Sequence, residues 1–157
     1  MLEKEYEIFL AKALRYCSTS EKCETDVRSK LIEWGIVDKN ISQQIIDYLR
    51  QNNFINHERY VNAYVNDALR LKRYGKIKIR YQLINKQIDA ALIEQNLSAI
   101  DHDFYLQMIR QEICKRIKNT RPNELEQQKI IRTMMGRGFE PELVRQILKE
   151  INSGFHD

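Results

Sequence analysis

Seven basic side chains fall close together in this chain: Arg70, Lys72, Arg73, Lys76, Lys78, Arg80 and Lys86, with no acidic residue between Arg70 and Ile88. Such a run suits recognition of a polyanion. Concentrated like charge attracts phosphates and releases their counterions on contact. The net charge of +4 conceals the concentration, because the other 19 of the 26 Lys and Arg residues stand against all 22 Asp and Glu. A generic solvated helix surface mixes the two signs more evenly.

Other chemistry has little to build on. Cys17, Cys23 and Cys114 are odd in number and form no C-x-x-C pair, so neither a disulfide framework nor a zinc site is expected. They read as small buried or half-buried residues. His57, His102 and His156 are scattered, and no H-E-x-x-H, P-loop, G-x-S-x-G or G-x-G-x-x-G occurs. The expectation is a non-enzyme with no cofactor and no metal. His57 and His102 recur in matched His-acid-x-Tyr settings, which points to a repeated structural job.

The elements that must carry the basic run are helical. The chain has 157 residues with five Gly and two Pro. Lys, Glu, Gln, Leu and Arg favour helix and leave few turn residues for a sandwich. No apolar run approaches the roughly 18 residues of a bilayer span. The opening MLEKEYEIF lacks the apolar block of a signal peptide. A cytoplasmic monomer is the plain expectation.

Three fourteen-residue segments, beginning at Cys23, Gly75 and Glu126, align without gaps at offsets of 52 and 51 residues. Their fifth position is Val27, Ile79 and Ile130. The ninth and tenth are Leu31-Ile32, Leu83-Ile84 and Met134-Met135. The thirteenth is Gly35, Gln87 and Gly138, and the last is Ile36, Ile88 and Phe139. A further apolar set follows each block: Ile45, Ile46 and Leu49; Leu92, Ile93 and Leu97; Leu143, Val144 and Leu148. Matching segments from Ile55 and Ile100 precede the second and third blocks. Each unit therefore reads as three helices. The expected fold is all-α: three tandem three-helix repeats in an elongated, curved row, with units over 1–53, 54–99 and 100–157. Pro122 suits the first turn of one helix, and Asp89 and Glu140-Pro141 suit the start of two others.

The repeat decides how Lys76 to Leu83 folds. Its alternation of basic and apolar residues is the period of a strand, yet the positions apolar in all three units, Ile79, Leu83, Ile84 and Ile88, have helical spacing. The alternation comes from Ile77 and Tyr81, whose counterparts are polar. Two readings stay open for that pair: extra burial of a unit sandwiched between two neighbours, or an apolar strip inside a basic field, ready for a partner. Gly75 is expected to end the preceding helix in a tight turn, gathering the basic residues at a helix–helix corner.

The run from Asn52 to Ile88 resembles the signature region of the RecX regulatory family. Phe54-Ile55, Tyr60, Tyr64-Val65, the basic cluster Arg70 to Lys76, Leu83 and Ile88 fill that family's places, and Ser20 and Leu31 to Ile36 match its opening. Departures are Asn56-His57, where an acidic pair is usual, and Gln87, where Gly is usual. The resemblance implies a non-enzymatic modulator that binds the RecA recombinase or its DNA filament and mostly inhibits its ATPase and strand exchange. A sequence-independent helical DNA-binding module and a repeat scaffold for another protein are the alternatives. Lys76 and Lys78 suit phosphate contact, which reads no base sequence.

Overall fold

The computed structural model describes residues 2–155, all of it helix, turn or irregular chain. Among the described residues there are nine α-helices and no strand: α1 Leu2–Thr19, α2 Glu24–Glu33, α3 Lys39–Gln51, α4 His57–Asp67, α5 Lys76–Asn85, α6 Ala90–Ser98, α7 His102–Cys114, α8 Glu124–Gly136 and α9 Pro141–Ser153. The basic–apolar alternation from Lys76 is thus helix. Side-chain caps begin several of them. Asp38, Asn56, Asp101 and Asn123 each accept a hydrogen bond from a first-turn amide, satisfying donors that have no partner inside the helix. Asn123 holds the cap of α8, so Pro122 lies just outside the helix rather than in its first turn.

The helices pack in threes, the third of each set lying against the other two: α3 on α1 and α2, α6 on α4 and α5, α9 on α7 and α8. The repeat positions explain why. Val27, Ile79 and Ile130 are buried, as are Leu31, Leu83 and Met134, and Ile36, Ile88 and Phe139. The thirteenth position is left-handed in all three units, with φ of 100° at Gly35, 60° at Gln87 and 90° at Gly138. That conformation closes each second helix. The amide of Ile36, Ile88 or Phe139 donates back to the carbonyl of Leu31, Leu83 or Met134 at 3.0–3.2 Å. This helix stop brings its two flanking apolar residues together, so one local motif seats the same two core side chains three times.

The tenth position departs from the expected core face. Ile32, Ile84 and Met135 are exposed, because one step beyond Leu31, Leu83 or Met134 turns the side chain about 100° away from the neighbouring helices.

Two cores result. One lies within α1–α3 and includes Ile55. The other runs continuously through α4–α9 and takes in Cys23 from the first unit. The accessible surface, 10231 Å², exceeds the roughly 8,300 Å² of a compact monomer of this mass. An elongated row exposes the extra area.

Candidate functional site

The basic run begins where α4 gives way to a π-helical turn, Ala68–Lys72. That turn ends in Arg73, whose φ of 58° makes it the left-handed residue. The amide of Tyr74 then donates to Ala68 O at 2.9 Å. Arg73 therefore does the work expected of Gly75. Gly75 itself is extended, with φ −81° and ψ 166°, at the N-cap of α5. Its lack of a side chain serves a different need. A Cβ there would overlap the carbonyl of Gly138, and one on Gly138 would overlap Lys78. The two backbones touch: Gly75 N donates to Arg137 O at 2.8 Å and Ile77 N to Gly138 O at 3.0 Å. Close approach of two chain segments is the second standard use of glycine.

The seven basic residues do not gather at one corner. Three are drawn off by carboxylates from outside the run. Arg73 reaches Glu112 in α7 at 3.0 Å, Arg80 reaches Glu94 in α6 at 2.6 Å, and Lys86 reaches Asp26 in α2 at 2.5 Å. Glu112 is buried and also binds Lys115 at 2.9 Å and Arg116 at 3.1 Å. Burial alone would raise its pKa, but the hydrogen bonds from Lys115, Arg73 and Arg116 prevail and hold it at about 2.

The other four, Arg70, Lys72, Lys76 and Lys78, form no ion pair among the described residues and sit over aromatic rings instead. Arg70 lies 4.8 Å from the Phe104 ring centroid and Lys76 lies 4.8 Å from that of Tyr105. Lys72 and Lys78 flank Tyr74 at 5.9 and 4.1 Å. A ring face attracts a cation without neutralising it, so these four keep their charge. Tyr105 ties the neighbourhood together: its hydroxyl accepts from Lys76 N at 3.0 Å and donates to the Glu140 carboxylate at 2.9 Å. Glu140 precedes α9 as expected, but its carboxylate is spent on Tyr105 and not on capping.

Ile77 and Tyr81 are 45% and 65% exposed, which overturns the reading that they add to a sandwiched core. With Ile84, 53% exposed, they stand at i, i+4 and i+7 and form one apolar stripe along the solvent face of α5. The packing side of α5 is Ile79 and Leu83. Three apolar side chains, one of them Tyr, are thus exposed in register on one helix.

Reading the run alone missed Glu112, Tyr74 and Arg137. Glu112 lies 39 residues from Arg73, and no local spacing relates them. Arg137 had a signal: it occupies the twelfth repeat position, where the second unit has Lys86. His57 does a capping job, accepting the amide of Glu24 at the start of α2 at 3.2 Å. His102 begins α7 and is exposed, and His156 lies outside the described residues. No helix among them is long and apolar enough to cross a membrane.

The architecture defines a class: a helical-repeat protein built from three-helix units that stack end to end. Models for the second and third three-helix domains of RecX match residues 56–97 and 103–148. The regulatory protein RecX of Clostridium acetobutylicum is 31% identical over 96% of this chain and 72% of its own length. That of Clostridium tetani is 32% identical over 88% of this chain and 65% of its own. A crystal structure of regulatory protein RecX superposes with a TM-score of 0.82 at 21% identity, covering 94% of this chain and 73% of that one. RecX from Lactobacillus salivarius gives 0.79 at 20% identity, covering 96% and 99%. The chain belongs to the RecX family of regulatory proteins.

Proposed function

We propose that this protein is a non-enzymatic, cytoplasmic, monomeric modulator that binds the RecA recombinase on DNA and lowers its ATPase and strand-exchange activity. Its working units are residues 1–53, 54–99 and 100–157. The observation that carries the reading is the solvent face of the second unit. There the exposed apolar residues Ile77, Tyr81 and Ile84 share α5 with Lys76 and Lys78, which flank Ile77 in the chain and form no ion pair among the described residues. An apolar anchor containing Tyr suits a protein surface, since aromatic side chains dominate interface energetics. Free ammonium groups next to it suit phosphates. A nucleoprotein filament offers both, side by side, which neither bare DNA nor a protein scaffold does.

The test is the ATPase of a RecA recombinase on single-stranded DNA, titrated with this protein. Tyr81→Ala combined with Ile84→Ser removes the anchor from a solvent-facing helix and leaves the fold intact. The double variant should need about tenfold or more protein for the same inhibition, in line with an interface hot spot of about 2 kcal/mol. Inhibition equal to wild type would remove α5 from the interface. A wild-type protein without effect on the ATPase at any concentration would end the reading itself.

A further inference from the structure

We propose that the cations around Tyr74 form one cradle for consecutive phosphates of a nucleic-acid strand, built from two units: Lys72 and Lys78 come from the second and Arg137 from the third. The proposal rests on the reading of the basic surface as one that meets DNA, and adds that no single unit carries the site.

Three cations share one ring. Lys78 Nζ lies 4.1 Å from the Tyr74 centroid, Lys72 Nζ 5.9 Å and Arg137 Cζ 5.9 Å. Arg137 is held there by the chain end of the π-turn, donating through Nη2 to Lys72 O at 2.6 Å and Arg73 O at 3.2 Å. Its Nε is buried and has no acceptor. Cations brought this close repel one another unless an opposite charge lies among them. The nearest buried carboxylate, Glu112, is already taken by Arg73, Lys115 and Arg116. The ring offsets part of the repulsion by cation–π attraction, and a phosphodiester would supply the remainder. With Nη2 held by the two carbonyls and Nε buried, the guanidinium keeps its Nη1 and its fixed charge for a phosphate, while the two Lys act as point charges.

What assembles the cradle carries no charge. Arg137 precedes Gly138, and the backbone bonds from Gly75 to Arg137 and from Ile77 to Gly138 press the turn after α8 against the start of α5. A side chain at position 75 would push that turn, and Arg137 with it, away from Lys72 and Lys78. The cradle therefore exists only when the second and third units are docked this closely.

The experiment is fluorescence anisotropy of a labelled oligothymidylate with the full-length protein across a salt series, without RecA. Lys72→Ala, Lys78→Ala and Arg137→Gln should each weaken binding several-fold and each lower the slope of log affinity against log salt by about 0.7, the amount expected for one phosphate contact on a single strand. Arg137→Lys should keep most of the slope. Gly75→Ala should weaken binding and lower the slope although no charge is removed. Lys39→Ala, in the first unit, should change neither. Circular dichroism checks helix content for each variant, and should Gly75→Ala fail to fold, Arg137→Gln alone decides. Wild-type affinity and slope in Arg137→Gln would overturn the cradle even if the lysine variants weaken binding, for the site would then belong to the second unit alone. Absence of any oligonucleotide binding by the wild type would also overturn it, while RecA inhibition sensitive to Tyr81 and Ile84 would leave the functional reading standing.

Discussion

The first unit meets the second, and the second meets the third, through the same two elements of the repeat, yet the two seams are built differently. In each, the start of one unit's second helix faces the turn that follows the next unit's second helix. Between the second and third units the facing positions are Gly75 and Gly138. Nothing projects from either, so backbone bonds directly to backbone and the core runs on through both units. Between the first and second units the equivalent positions hold Cys23 and Gln87. Side chains then make the contacts. Thr25 Oγ1 donates to Lys86 O at 2.7 Å, Lys86 pairs with Asp26, and Arg59 reaches Glu21 at 2.7 Å. Apart from Cys23 in the second core and Ile55 in the first, the cores stay separate. The seam without side chains at these two positions joins the cores, and the seam with them meets through side-chain contacts.

The largest expected effect tests that division. Leu31 and Leu83 occupy the same repeat site, fully buried in different cores. Leu→Ala at either should cost about 2–5 kcal/mol by lost transfer energy and the cavity left behind. The loss should spread differently. Hydrogen exchange should show Leu83→Ala deprotecting amides in α4 through α9 together, and Leu31→Ala deprotecting α1 to α3 while the rest stays protected. Equal deprotection of all three units by both variants would mean that the seams couple equally well. No loss in a thermal melt of Leu83→Ala would place that side chain outside the core.

A smaller effect belongs to the polar side of the fused seam. Glu112 bridges Arg73 of the second unit to Lys115 and Arg116 of its own. Its pKa is depressed from the ordinary 4.5 to about 2. A carboxylate depressed on folding contributes stability that is complete above its unfolded pKa and fades as pH falls through the folded value. Glu112→Gln should thus be less stable than wild type by about 2–3 kcal/mol at pH 7. The gap should narrow from about pH 4.5 downward and close near pH 2. Urea titrations across that range measure it, and a gap that does not vary with pH would assign the loss to packing instead of charge.

Much of this was legible in the chain. The fifth, ninth and fourteenth repeat positions are apolar in every unit and buried in every unit, because the repeat is the record of a packing problem solved three times. Gly35 and Gly138 stood out at the thirteenth position, but its left-handed backbone, which Gln87 shares, is seen only in the structure. What escaped depended on distant partners. Ile84 looked like core because a helix face is broader than the side of it that touches a neighbour. Gly75 looked like a helix stop, since nothing nearby announces that Gly138 will lie against it. The basic run looked uncompensated because Glu112, Glu94 and Asp26 come to it from other helices. Local pattern fixes which residues turn inward; the meeting of two units depends on both, and the pairing of Arg73 with Glu112 has no period to reveal it.

The smallest effect lies at the docked seam. Lys86 Nζ and Asp26 Oδ1 are 2.5 Å apart, with 39% of the lysine side chain exposed. The hydrogen bond to Asp26 raises the lysine pKa. Burial works to raise that of Asp26, yet Lys86 and the Cys23 amide outweigh it and lower the value. Both groups are therefore fully charged across the neutral range. The pair's contribution fades only as pH falls through the lowered carboxylate value or rises through the raised ammonium value. Half-exposed pairs contribute about 0–1 kcal/mol and are screened by salt, so Lys86→Ala should barely move the global melt. Its effect should be local. Thr25 still bonds the carbonyl of residue 86, but Asp26 loses its ammonium partner beside the amide of Cys23, and exchange protection in the first turn of α2 should fall about fivefold or less at low salt, with the difference from wild type vanishing in high salt. Deprotection reaching α5 and α6 would show the first unit coupled to the second as firmly as the second is to the third, and the Cys23–Gln87 seam would then owe its strength to something other than these side-chain contacts.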